Sequence, residues 1–273
     1  MTDRIVVAAM TDTAAEPAAP PAPAPASAPA PASVSEVRDP ADVAPGPESA
    51  EPAADPRPIR TFHPRRGRMS SRHSDAHAEL WPRYGLTVVD GDRTPLDLTE
   101  LFGRDAPKIL EIGFGMGDAT ATMAAADPER DYLGIEVHTP GIGNLLALVG
   151  ELSLTNVRVA RGDAMELLHR LPPDSLAAIH VFFPDPWPKA RHHKRRLIQP
   201  ANVTLLRDRL HPGGVLHCAT DWPDYALAMS ETLTADPGLR PLPATPHARP
   251  ETKFERRGTS AGRPITDLRF TKI

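Results

Sequence analysis

From Lys108 to the end of the chain, short apolar runs alternate with amphipathic segments, and that rhythm predicts the fold. Lys108-Ile-Leu-Glu-Ile112 reads as a strand leading into a glycine turn. Asp118 to Ala126, rich in Ala, Thr and Met, reads as a helix. Strand and helix then repeat: Tyr132 to Val137 and Gly141 to Leu152, then Val157 to Ala160 and Ala164 to Arg170, the latter stopped by Pro172 and Pro173. Leu176 to Phe183 is almost wholly apolar, as in a strand buried on both faces. Asn202 to Leu210 follows as a helix with Pro212-Gly213-Gly214 as its stop, then Val215 to Thr220 as a strand and Tyr225 to Leu233 as a helix. Leu268 to Thr271 reads as a last, edge strand. Repeated β–α units of this kind predict an α/β fold with a doubly wound, Rossmann-like parallel sheet. Ligands of such sheets bind beyond the carboxyl ends of the strands, so chemistry is sought there.

The N-terminal pattern is different. Residues 1–56 are dominated by Ala and Pro, as in Ala18-Ala-Pro-Pro-Ala-Pro-Ala-Pro25. Proline removes a backbone donor, and few large apolar side chains are present to offset the entropy of ordering. The segment is expected to be a disordered tail, leaving residues 57–273 as one domain. Within that domain residues 57–84 form a basic arm: Arg60, Arg65, Arg66, Arg68, Arg72 and Arg83 face only Asp75 and Glu79. Ser74 to Trp81 reads as a short helix ended by Pro82. The arm is either a solvated surface or a set of phosphate contacts.

Charge and cysteine content narrow the setting. The net charge of −4 gives no global sign of nucleic acid, so only a local basic surface can bind one. The one cysteine, Cys218, sits in an apolar run and is expected to be a buried packing residue. No apolar stretch approaches the roughly 18 residues of a membrane span. Arg4 followed by Ile5 to Met10 is too short an apolar core for a signal peptide, and Asp12 and Glu16 follow closely. A cytoplasmic protein without a membrane partner is expected. No metal site is read.

The candidate chemistry lies at the strand ends. Glu111-Ile-Gly-Phe-Gly-Met-Gly117 has a strand before it and a helix after it, the context a ligand-binding glycine loop needs. A dinucleotide fingerprint would place its third glycine at position 118, which is Asp118. The acid Glu111, two residues before Gly113 and four before Gly115, suits a cationic ligand such as S-adenosyl-L-methionine better than a pyrophosphate. Glu136 ends the next strand, where a carboxylate can accept ribose hydroxyls. Asp163 follows the third strand; it either accepts from an adenine amino group, or caps the next helix, or does both.

The most specific segment is Phe182 to Arg196. Pro184 and Pro186 stiffen a loop that holds Asp185 at the mouth of the site. Trp187 either stacks on a base or packs against the loop. The run Lys189, Arg191, His192, His193, Lys194, Arg195 and Arg196 contains no acid and begins beside a strand-end carboxylate, a placement that suits guiding RNA. Asp221 ends the fifth strand, and Thr252-Lys253-Phe254-Glu255 precedes the last. Asp221 and Glu255 can accept from base N–H groups and Lys253 can meet a phosphate, although for each pair in isolation a cap or a surface ion pair is the better explanation.

Together these segments resemble bacterial tRNA (guanine-N7-)-methyltransferases of the TrmB type from about residue 59 onward. The Pro184-Asp-Pro-Trp-Pro-Lys-Ala-Arg191 and Thr252-Lys-Phe-Glu255 runs carry the resemblance most specifically. It implies a class I methyltransferase sheet, S-adenosyl-L-methionine as methyl donor and tRNA as partner, with guanine 46 of the variable loop as target. It further implies cofactor roles for Glu111, Glu136, Asp163 and Asp185, with Asp185 also catalytic. Lys189, Asp221, Thr252, Lys253, Phe254 and Glu255 would meet the target nucleoside, and Arg191 to Arg196 the RNA. Another RNA position is the alternative target. No obligatory protein partner is evident. The Ala/Pro tail and the stretch Thr259 to Ile265 depart from the family pattern.

Overall fold

A computed structural model describes residues 59–63, 67–243 and 249–273. The Ala/Pro-rich segment 1–56 lies outside the described residues, as do Arg65 and Arg66 of the basic arm.

The chain runs α1 (Ser71–Tyr84), β1 (Gly85–Thr87), α2 (Leu98–Phe102), β2 (Lys108–Ile112), α3 (Asp118–Ala126), β3 (Asp131–Glu136), α4 (Thr139–Glu151), β4 (Val157–Arg161), α5 (Ala164–Arg170) and β5 (Leu176–Phe182). A 3-10 turn at Ala190–Arg195 follows, then α6 (Pro200–Arg209), β6 (Leu210–Thr220), α7 (Pro223–Ala235), β7 (Leu239–Pro241), α8 (Lys253–Ser260) and β8 (Thr266–Lys272). The eight strands form one sheet in the order β1-β4-β3-β2-β5-β6-β8-β7. From β1 to β6 the pairing is parallel. The chain winds outward from β2 to β4, then returns to place β5 on the other side of β2. The switch point therefore lies between β2 and β5, where the loops after these strands diverge and leave a crevice. Central strands read as apolar because both faces are covered: every residue of β2 is buried, as are Ile179 and Val181 of β5. No helix among the described residues is long and apolar enough to cross a membrane.

Three expectations need correction. The last strand is not an edge: β8 lies between β6 and β7 and pairs antiparallel with both. The true edge, β7, is only three residues long and ends in Pro241, which can stand there because an edge needs no donor on its outer side. Pro82 does not end α1 but lies inside it. The proline forfeits its own bond, and the last turn closes through the Gly85 N–H donated to Trp81 O. Pro212 to Gly214 is not simply a helix stop, because β6 already starts at Leu210; the register jumps from Leu176↔Leu210 to Ala178↔Val215, and His211 to Gly214 form the resulting bulge. Finally, β1, α2, β7 and α8 carry no apolar period long enough to be read in the sequence.

Cys218 is fully buried in β6, and burial pushes its thiol up to about 12, as befits a packing residue.

Candidate active site

The β2–α3 connection turns through three left-handed glycines, Gly113 at φ 75°, Gly115 at φ 62° and Gly117 at φ 81°. At Gly113 a side chain would be strained, and the space it would enter is open, with no atom within 4 Å. That space belongs to a cavity of about 1170 Å³ at the switch point, walled by Glu111, Gly113, Glu136, Asp185 and Phe254 among others. Gly141, at the start of α4, lets that helix approach the loop: a Cβ there would lie 1.8 Å from Gly115 O.

Two acids flank the loop in unlike ways. Glu111 is 4% exposed and its Oε2 accepts from Thr120 Oγ1, in the first turn of α3, at 2.8 Å. Burial raises its carboxyl to about 7; the Thr120 bond opposes the rise and the charge of Glu136 adds to it. Glu136 instead accepts three backbone N–H groups, from Gly115 at 2.9 Å, Val137 at 2.7 Å and His138 at 3.0 Å. Asp163 caps α5, accepting the Met165 N–H at 2.9 Å. Burial raises its carboxyl, partly offset by that bond.

On the β5 side the backbone is strained. Phe183 has φ 53° and Trp187 φ 47°, a region that bulky side chains rarely adopt. The conformation is held from several directions. The Phe183 N–H donates to Ala219 O at 2.8 Å. Trp187, 3% exposed, donates Nε1–H to Thr61 O at 3.4 Å and lies 4.0 Å from the His63 ring, with the Arg195 guanidinium 5.1 Å from its own centroid. Trp187 thus packs against the loop. The His63 N–H donates to Asp185 Oδ2 at 3.2 Å. The arm segment Thr61 to His63 therefore forms part of the cavity wall.

The basic run is not uniform. Lys189, Arg191 and Lys194 are exposed and His192 and His193 half-buried. Arg196 is 3% exposed and points inward, bonding Pro186 O and Asp224 with its guanidinium 4.7 Å from the Tyr225 centroid. It does not share the exposed basic face.

At the opposite rim α8 opens with a reciprocal cap: Thr252 accepts the Glu255 N–H at 3.1 Å and Glu255 accepts the Thr252 N–H. Thr252, Lys253 and Phe254 line the cavity. Asp163, Lys189, Asp221 and Glu255 are not among the residues that line the cavity, although Asp163 stands between the lining residues Gly162 and Ala164. Asp221 pairs with Arg263 at 2.7 Å, and Glu255 pairs with Arg249.

Arg249 is the residue whose importance the sequence conceals. Its side chain is 5% exposed, bonds Asp267 at 2.8 Å as well as Glu255, and lies 5.2 Å from the Phe183 centroid. Burial alone would raise the Asp267 carboxyl, yet hydrogen bonds from His217 and Arg249 outweigh it and hold the group at about 2. Sequence reasoning does not mark Arg249, Arg263, Thr120 or Phe183 as site residues. Only Thr120 carries a signal there, its place in the first turn of the helix after Glu111.

Residues 105–268 match a family model described as a putative methyltransferase. A tRNA (guanine-N(7)-)-methyltransferase from Streptomyces avermitilis is 52% identical over 235 residues, covering 81% of this chain and 80% of that protein. The tRNA (guanine-N(7)-)-methyltransferase of Halorhodospira halophila is 53% identical over 220 residues, covering 78% of this chain and 94% of the relative. That of Nitrosospira multiformis is 53% identical over 221 residues, covering 79% and 95%.

Proposed function

This chain belongs to the tRNA (guanine-N(7)-)-methyltransferase family, and on that premise we propose that it transfers a methyl group from S-adenosyl-L-methionine to N7 of guanine 46 in the tRNA variable loop. One observation carries the reading. Carboxylates ending β2 and β3 and the loop after β5 meet at a single cavity, with exposed cations at its edge.

The residues fit that donor. Glu136 has three of its roughly four acceptor sites filled by the backbone, which leaves about one for a ribose hydroxyl. Asp163, between the lining residues Gly162 and Ala164, accepts the capping N–H through Oδ1, and its Oδ2 would take an adenine amino group at the edge of the cavity. Glu111, buried and held near neutrality, gains a partner when an ammonium group arrives. The open face at Gly113 leaves room for a ligand against the backbone.

When bound, S-adenosyl-L-methionine supplies an electrophilic methyl group, which N7 of guanine can take through its lone pair without losing a proton. The chain therefore needs no general base for this step, and its side chains act by alignment and by fixed charge. Asp185, anchored by the His63 N–H, accepts from a donor on the guanine, orients the ring and favours the positive charge that spreads over it. Lys253 meets a phosphate at the rim, while Arg191 and Lys194 draw the RNA to the cavity.

The test is transfer of a labelled methyl group to an unmodified tRNA transcript, followed by mapping of the nucleotide. A single 7-methylguanine at position 46 is expected, with no product from a transcript carrying adenine there. Label at another position would overturn the assignment of target, and no label at all would overturn the reading.

A further inference from the structure

We propose that Phe183 and Phe254 form an aromatic clamp that takes the target guanine by its two faces and favours the methylated ring over the neutral one. The proposal rests on the function proposed above and adds to it a pair of side chains that grip the base.

Both rings line the cavity. Their centroids are 6.4 Å apart and their planes are inclined by only 22°. Stacked bases follow one another at about 3.4 Å, so a base between two rings needs about 6.8 Å. The centroid separation is the most that the gap between the planes can be, so a base enters only when the two rings part. Phe254 is 41% exposed, a large ring left at the mouth of a cavity.

The two rings are held from behind. The left-handed backbone at Phe183 is fixed by its N–H bond to Ala219 O. Phe254 stands in the first turn of α8, which the Thr252–Glu255 cap secures. Arg249 joins the two sides, since it pairs with Glu255 next to Phe254 and lies against the Phe183 ring. Its charge is matched by Glu255 and Asp267, so it does not repel a cation held between the rings.

Position and chemistry select the occupant. An adenosine at Glu136 and Asp163 would lie toward β3 and β4, whereas Phe183 follows β5 on the far side of β2 and precedes Asp185 by two residues. Phe254 also leans over the glycine loop, 3.6 Å from where a Cβ on Gly115 would be. A purine gripped there lies beside the donor loop. In the transfer the N7 lone pair forms the new N–C bond, the C–S pair returns to sulfur, no proton moves, and one positive charge passes to the purine. The negative faces of two phenyl rings attract that cation more than they attract neutral guanine.

Leucine at either position keeps apolar volume and removes the π faces. Wild-type protein should bind 7-methylguanosine 5′-monophosphate several-fold more tightly than guanosine 5′-monophosphate. F183L and F254L should each lose that preference and slow single-turnover methylation about tenfold or more, with unchanged thermal midpoint and donor affinity. F254W should restore both. If F183L fails to fold, F254L, at a surface position of α8, carries the test. Wild-type rates with the preference retained would overturn the clamp. Loss of donor affinity in place of nucleotide preference would assign the rings to the donor's adenine and overturn it too. In both cases wild-type protein still methylates tRNA, which separates failure of the clamp from failure of the proposed function.

Discussion

The cavity has two sides, and they are held by contacts of different reach. On the side of β2 and β3, Glu111 leans on Thr120 nine residues away, and Glu136 on the amides of its own strand end and of the glycine loop 21 residues away. On the side of β5 and α8, Asp185 takes an N–H from a residue 122 positions earlier, and Trp187 reaches a carbonyl 126 positions earlier. Arg249 ties α8 to β8 across a further fold-back. The contacts of the first side are made between neighbouring strands and the loop and helix that join them. The second exists only when the arm, the post-β5 loop and the C-terminal segment have all docked. On the proposed function the first side holds the donor and the second the acceptor, so the two should respond to substitution separately.

The largest effect that would test this separation is at Asp185. Asp185→Asn keeps the size of the side chain and the anchor to His63 but removes the charge. Single-turnover methylation at saturating tRNA and donor should fall by roughly two to three orders of magnitude, the usual loss for one preorganised electrostatic group. Donor affinity by calorimetry and the thermal midpoint should stay near wild type. A matching loss of donor affinity would erase the boundary between the two sides. Gly141→Ala attacks the other side. Its Cβ would collide with the Gly115 carbonyl, which is backbone and cannot swing away. Overpacking of this kind costs about 1–3 kcal/mol, read as a lower unfolding midpoint together with weaker donor binding. Gly150→Ala, later in the same helix, meets only the tip of Leu80 at 3.1 Å and should be close to neutral.

The same difference in reach explains what the sequence made legible. Lys108–Ile112 and Asp118–Ala126 match their predicted spans residue for residue, because apolar runs and glycines mark strand, turn and helix within one short window. That Glu111 and Glu136 line the cavity follows from position alone, since they are the strand-end carboxylates. The side of β5 and α8 gives such a window only at Phe182 to Arg196, which places Asp185 at the cavity. There β7 has only three residues, too few to show a period; β1, at the opposite edge beyond β4, has three as well and α2 has five. The eight residues of α8 are mostly polar, so its helix is fixed by a cap rather than by an apolar face. Arg249 stands next to a proline outside any pattern, and its three-way contact exists only in space. Within the basic run, composition cannot tell which cation turns inward. The one hint is that Arg196 adjoins the buried pair Leu197 and Ile198.

That inward turn supplies the next, smaller test. Arg191 and Lys194 are exposed and Arg196 is not. Replacing Arg191 and Lys194 by alanine should weaken tRNA binding several-fold. It should also flatten the dependence of log affinity on log salt by about 0.7–0.9 for each phosphate that is no longer neutralised. Arg196→Met should leave that slope alone and lower stability instead, since it removes the bonds to Pro186 O and Asp224. If Arg196→Met flattens the slope as much as the double variant does, the buried arginine belongs to the RNA surface and the division of the run is mistaken.

The smallest signal expected is a fraction of a proton. Burial lifts Glu111 to about 7, whereas a glutamate in the unfolded chain titrates near about 4.3. Between those values the folded protein keeps a proton that the unfolded chain has released. The contribution of Glu111 to stability is therefore complete below about pH 4, declines as pH rises toward 7 and levels off above it. Glu111→Gln cannot ionise, so it should lack that decline and, free of ligand, should be the more stable form at pH 8. Donor binding works in the opposite direction, because an ammonium group favours the ionised carboxylate. At pH 6.5 binding to wild-type protein should expel more than half a proton, and at pH 8.5 almost none, as read by calorimetry in two buffers of unlike ionisation enthalpy. The glutamine variant should expel none at either pH. Equal proton release by the two proteins at pH 6.5 would detach Glu111 from the donor, and with it the claim that the local contacts of β2 and α3 build that side of the cavity.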